Sequence, residues 1–175
     1  REPSTPIDHR QRWDNARRLA NDDTISPDDR VAGALVVLYA QPLTRIAGLA
    51  VDQVTARVEG ETTIHFERHQ IDLPEPFAGL VRQLPVRRRQ GTADHLETRW
   101  LFPSTRPDRP VHPTTIANRL RRIGIEPRAA RAAAVNQLAS EIPPALLAES
   151  IGITPRQASQ RVGLAGGNWT AYTTR

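Results

Sequence analysis

The chain of 175 residues has no cysteine, and all 24 of its basic residues are arginine. Without cysteine there is neither a disulfide framework nor a thiolate metal site. Without lysine there is no Schiff-base chemistry and no phosphate-loop lysine. No apolar stretch approaches the ~20 residues that a bilayer-spanning helix needs, and no secretory signal pattern is present. A membrane is therefore not an expected partner. The first residue is arginine rather than methionine, so a fragment or processed chain is expected. Its expected location is cytoplasmic and nucleoid-associated.

What remains is an ordinary globular composition, 38% hydrophobic and 25% charged, with length for one good core or two small ones. Guanidinium stays charged and forks onto phosphate oxygens, so an all-arginine set favours phosphate recognition over proton shuttling. GC-rich codons, which select Arg, Ala and Pro, are a second origin for the same composition. The formal charge of +5 is unevenly spread: residues 81 to 175 hold 15 arginines against six acidic residues, a net +9. The positive field belongs to the C-terminal half.

Residues 1–7, with Pro3, Ser4, Thr5 and Pro6, read as a linker tail, and residues 8–175 as one domain. Helical spacing from Trp13 to Ala20 stops at Asn21-Asp22-Asp23. Ser26-Pro27-Asp28-Asp29 reads as a helix start, with a hydroxyl cap, proline in the first turn and acids at the positive end of the dipole. The following helix, Val31 to Ala40, is apolar all round and belongs in the core. Leu43 to Leu49 reads as a short turn. Thr55–Val58, Thr62–Phe66 and His69–Leu73 form the one β signal, three short antiparallel strands. Phe77–Leu84 reads as a helix, Val86–His95 as a basic connection, and Trp100-Leu101-Phe102-Pro103 as an apolar plug. Helical pieces follow at Thr114–Ile123, Arg128–Ser140, Ala145–Ile151 and Arg156–Val162. The fold class is mainly α with a small three-stranded antiparallel sheet.

Leu38-Tyr39-Ala40 through Ile46-Ala47-Gly48-Leu49, with Asp52 and Val54, resembles the first conserved box of the tyrosine recombinases, the phage-integrase family. Ile71-Asp72-Leu73-Pro74 is similar to the end of that family's third strand, and Trp100-Leu101-Phe102-Pro103 to the box before its helical half. The resemblance runs from about Trp13 to Tyr172 and has an actinobacterial style. It implies a catalytic-domain fold that acts on double-stranded DNA, often as a C-shaped clamp with a separate N-terminal DNA-binding domain, and a homo-oligomer on DNA. It also implies a tyrosine nucleophile assisted by two arginines, a lysine and two histidine or tryptophan positions.

Most of that set is missing. After the buried helix the chain reads Gln41-Pro42-Leu43-Thr44-Arg45, so only a displaced Arg45 is left for the first arginine. Arg68 is the basic residue nearest the lysine position. Arg128-Ala129-Ala130-Arg131 resembles the His-x-x-Arg box with its histidine replaced, and Ile151-Gly152-Ile153 resembles the Leu-Gly-His box without its histidine. Tyr172 falls later than the nucleophile does, and it has a competing reading as a packing partner of Trp169. No catalytic residue is expected, and Arg131 and Tyr172 stand as vestigial candidates. No metal or other cofactor is expected, because the five histidines are scattered and His65 and His69 share the sheet at a spacing no helix uses. Asp22, Asp23, Asp28 and Asp29 read as turn and cap residues.

Residues 145–163 resemble a helix-turn-helix. Ala148 is small where helices cross, Gly152 allows the turn and Thr154 can cap. Its exposed side shows Arg156, Gln157, Ser159, Gln160 and Arg161, suited to phosphates and base edges; the alternative is a plain helical corner. Arg87, Arg88 and Arg89 form a basic run, and Arg119, Arg121 and Arg122 flank the inward-facing Leu120 and Ile123. Arg128 and Arg131 share a helix face that is either solvated or turned to DNA. The leading expectation is a DNA-binding protein on a catalytically degenerate recombinase fold. An active recombinase using Tyr172, with Arg131, Arg45 and Arg68 on the phosphate, is one alternative. A protein-interaction scaffold is another.

Overall fold

The computed structural model describes residues 9–57, 60–91, 98–106 and 108–151, with 86–91 described by backbone alone. Seven helices and a three-stranded sheet are described: α1 (His9–Asn21), α2 (Pro27–Val37), α3 (Leu43–Ala47), β1 (Val54–Ala56), β2 (Thr62–His65), β3 (Gln70–Leu73), α4 (Phe77–Gly91), α5 (Pro113–Arg122), α6 (Pro127–Glu141) and α7 (Pro144–Ile151).

Helix α2 is the hub. Ser26 Oγ accepts from the Asp29 amide at 3.3 Å, Pro27 opens the helix, and every residue from Arg30 to Val37 is buried. Gly33 allows a close approach: a Cβ there would lie 2.9 Å from Leu19 Cδ2 and 3.4 Å from Leu120 Cδ2, so the buried Leu19 side chain would have to shift. That close approach lets α1 and α5 pack on α2. The chain leaves α2 through Ala40, whose φ of 54° is the left-handed conformation that usually falls to glycine at a helix end.

One apolar cluster gathers Leu19, Leu35, Ile46, Leu49, Ile64, Leu84, Leu101 and Leu120 around α2. A second joins Ala40 to Ala134, Val135 and Ala139 of α6 and Leu147, Ala148 and Ile151 of α7. The strands run in the order β1-β2-β3, antiparallel, with Val54 opposite Ile64 and His65 opposite Gln70. Ile64, Ile71 and Leu73 share the face that packs into the core with α4. The apolar plug joins the same core: Leu101 and Phe102 are buried, and the Leu101 amide donates to the Leu49 carbonyl at 2.8 Å.

Two sequence expectations are corrected here. Leu43–Leu49 is not a turn but holds the helix α3, which starts as the Arg45 and Ile46 amides donate to the Pro42 carbonyl. A helix of five residues is too short to show a 3.6-residue period. The connection expected from Val86 belongs to α4 as far as Gly91, because the helix passes through Pro85; an internal proline removes one backbone donor but does not always end a helix. The expected linker 1–7 and helix 156–162 lie outside the described residues. Among the described residues no helix is long and apolar enough to cross a membrane.

Candidate nucleic-acid interface

Helix α3 stands between two hollows, and Thr44 lines both. The larger, about 700 Å³, is walled by Thr44 and Arg45 of α3 and the Gly48 that caps it, by Phe66-Glu67-Arg68-His69, and by Ala145, Ala148 and Glu149 of α7. The smaller, about 270 Å³, is walled by residues 41–44 with Ala117 and Arg121 of α5 and Pro127, Arg128 and Arg131 of α6.

Arg45 is held in place by a buried amide. Gln41 Nε2 donates to the carbonyls of Tyr39 (2.8 Å) and Ser150 (2.7 Å), and Gln41 Oε1 accepts from Arg45 Nη1 at 3.0 Å. Arg45 Nη1 also reaches the Ser150 carbonyl at 3.3 Å, and its guanidinium carbon lies 5.4 Å from the centre of the Phe66 ring. Burial lowers the Arg45 pKa and nearby Glu67 opposes that shift; the group remains a permanent cation. The β2–β3 turn is closed by the Phe66 amide donating to the His69 carbonyl at 2.8 Å, and the two rings stack at 4.6 Å and 11°. Burial and repulsion from Arg45 hold His69 below its ordinary value, partly offset by Glu149.

On the other side of α3, Arg131 is a strut. Its Nε donates to the Ala40 carbonyl at 2.7 Å and its Nη2 to the Ile151 carbonyl at 2.8 Å, which ties α6 to the ends of α2 and α7. Arg121 is bound to both carboxylate oxygens of Glu126, at 2.9 and 3.3 Å. Arg128 and Arg122 are exposed.

Among solved structures, the chain resembles XerA recombinase over 100% of its own length and 66% of that chain, at 13% identity and a TM-score of 0.66. It resembles a lambda integrase dimer bound to a COC′ core site over 97% of its length and 51% of that chain, at 13% identity and a TM-score of 0.52. The fold, mainly helical with a three-stranded antiparallel sheet, is tyrosine-recombinase catalytic-domain-like. The chain spans less than two thirds of the length of either protein. No protein-family model and no curated protein matches it.

The recombinase-like fold distributes the sequence-derived candidates unevenly. Arg45 and Arg68 share the larger hollow, while Arg131 lines the neighbouring one. Arg128 and Arg131, whose spacing suggested a shared face either solvated or turned to DNA, differ in setting: Arg128 is exposed, whereas Arg131 is half-buried on two carbonyls. Arg119 is tied to Asp29 at 2.7 Å, so Asp29 is an ion-pair partner as well as a first-turn acid. Arg87, Arg88 and Arg89 fall on α4 rather than in a loop. Ile153, Arg156, Gln157, Ser159, Gln160, Arg161 and Tyr172 lie outside the described residues. The sequence reading missed Gln41, His69 and Glu149. A buried glutamine next to a proline could have drawn attention to the first, but only the fold brings the other two together.

Proposed function

We propose that this chain is a DNA-binding protein built on a recombinase-type fold from which the catalytic set has been lost. It grips duplex backbone with arginines of its C-terminal half, as one of several copies on the same DNA. The observation that carries this reading is the smaller hollow beside α3. Among the described residues, Arg121, Arg128 and Arg131 enter its wall and no acidic residue does; Arg121 is paired with Glu126 beside the wall, and Arg131 keeps two of its donors on carbonyls. Concave cationic walls of this kind attract phosphate.

Loss of catalysis is supported by what the arginines and missing side chains leave undone. Phosphoryl transfer to a tyrosine needs fixed positive groups on the non-bridging oxygens and a proton donor for the departing oxygen. Arg131, the best-matched candidate, directs Nε and Nη2 to backbone carbonyls, and no lysine exists in the chain. Charges that hold ground and transition states alike accelerate nothing.

Gel-shift titration of random duplex at two ionic strengths tests binding. The expected result is log affinity falling with log salt by about 0.9 for each neutralised phosphate. No shift at low salt would reject the DNA reading in favour of a scaffold. A nicked suicide duplex tests the lost chemistry: no covalent product is expected, and a covalent band that disappears in Tyr172→Phe would establish an active recombinase.

A further inference from the structure

The larger hollow differs from the smaller one in its charge. From α3 it receives Arg45, from the β2–β3 turn Glu67, Arg68 and His69, and from α7 Glu149; Gln53 and Thr44 are the uncharged polar residues of its wall. Among the described residues two arginines and two glutamates line it, so with a neutral His69 this part of the wall carries no net charge. A protonated His69 leaves it with one positive charge. Among the described residues of this wall, His69 is the group that changes charge between about pH 5 and 8.

The surroundings of His69 suit that role. Its ring lies flat on Phe66, and its Nε2 is buried with no hydrogen-bond partner among the described residues. No bond from that atom offsets its burial, which is the main reason the ring stays neutral; Arg45 adds to this and Glu149 opposes it, so an anion entering the hollow would act on the ring through charge. His65, the other histidine of the hairpin, bonds Thr55 Oγ1 through its ring at 3.0 Å and lies on β2 outside this wall.

We propose that His69 is a pH-responsive element of this hollow: protonated, it converts a charge-balanced wall into a site for a phosphate-type oxyanion, and the oxyanion in turn favours the protonated ring. The coupling rests on the DNA-binding reading for its biological ligand. The same chemistry accepts either a backbone phosphate of the duplex or a free oxyanion. Reciprocity requires that whatever tightens the oxyanion on protonation raises the His69 pKa to the same extent on oxyanion binding. The neutral ring is favoured in the empty site by burial and by Arg45, with Glu149 opposing.

Two measurements on the full chain test the coupling and separate the ligand sources. In the first, the His69 ring is titrated by NMR without and with inorganic sulfate, whose own charge is constant over this range. An upward shift of about one pKa unit is expected, equivalent to a tenfold coupling. In the second, duplex affinity is measured at constant ionic strength from pH 7.5 to 5.5 for the wild type, His69→Gln and His69→Arg. The wild type should bind about tenfold tighter at the acidic end, His69→Gln should stay weak and flat, and His69→Arg should stay tight and flat.

An unshifted His69 titration together with wild-type and His69→Gln curves of equal slope overturns the coupling, even if duplex binds. A sulfate-linked shift with no duplex binding at any pH sustains the coupling and overturns the DNA reading. If His69→Gln does not fold, the wild-type titration and His69→Arg still decide.

Discussion

Replacing Arg131 with alanine removes the strut that joins α6 to the ends of α2 and α7. The side chain donates at 2.7 Å to Ala40 and at 2.8 Å to Ile151. Hydrogen bonds from a charged donor contribute about 1.5–3 kcal/mol each, and the half-buried position lets water recover part of this after truncation. The cation also lies at the negative end of α7, a favourable position. The expected loss is about 2–4 kcal/mol, which for a chain of this length lowers the melting temperature by about 5–15 °C. Thermal unfolding followed by circular dichroism measures it. Arg131→Lys should recover less than half, because one ammonium cannot match the two-directional fork. An alanine variant that melts within about 1 °C of the wild type would refute the strut. Arg131 would then be an ordinary surface residue, for which effects within about 0.5 kcal/mol are usual.

Arg30 is 6% exposed and donates through Nε to the Leu19 carbonyl at 2.7 Å, through Nη2 to the Ala20 carbonyl, and through Nη1 to Asp23 at 2.8 Å. Arg30→Lys is expected to cost about 2–4 kcal/mol in urea unfolding, since buried fork geometry is lost; a change under about 0.5 kcal/mol would contradict this. Ser26→Ala should cost about 1 kcal/mol by removing the cap on the Asp29 amide, while Ser26→Asp should retain most of the stability. His69 is held below its ordinary value when folded, so the folded state binds that proton less well than the unfolded chain. Its contribution to stability is complete above the ordinary histidine value and is lost as pH falls from about 7 towards 5. Urea midpoints of His69→Gln should therefore decline less over that interval than those of the wild type, and parallel declines would contradict the assignment.

The recombinase-like order of elements was legible because its signals are local. Ser26-Pro27-Asp28-Asp29 carries a helix start within four residues, and the all-apolar run behind it can only be a buried helix. Alternation from Thr62 to Leu73 was enough to place two paired strands. α3 and the stretch of α4 beyond Pro85 were not legible. The first is shorter than two turns, and a proline inside a helix looks locally like one that ends it.

The roles of the arginines were beyond the sequence for a different reason. Arg131 meets Ala40 across 91 positions, and Arg18 donates to the Ile123 carbonyl across 105. Arg12, which is buried, donates to the Val37 and Leu38 carbonyls at the end of α2. A guanidinium can serve a helix-end carbonyl as well as a phosphate oxygen, since the first accepts with a partial and the second with a full negative charge. Composition and spacing determined that this protein has many forked cations, concentrated in its C-terminal half. Only tertiary packing decided which of them hold the fold together and which line the hollows beside α3, because that depends on where distant helices end.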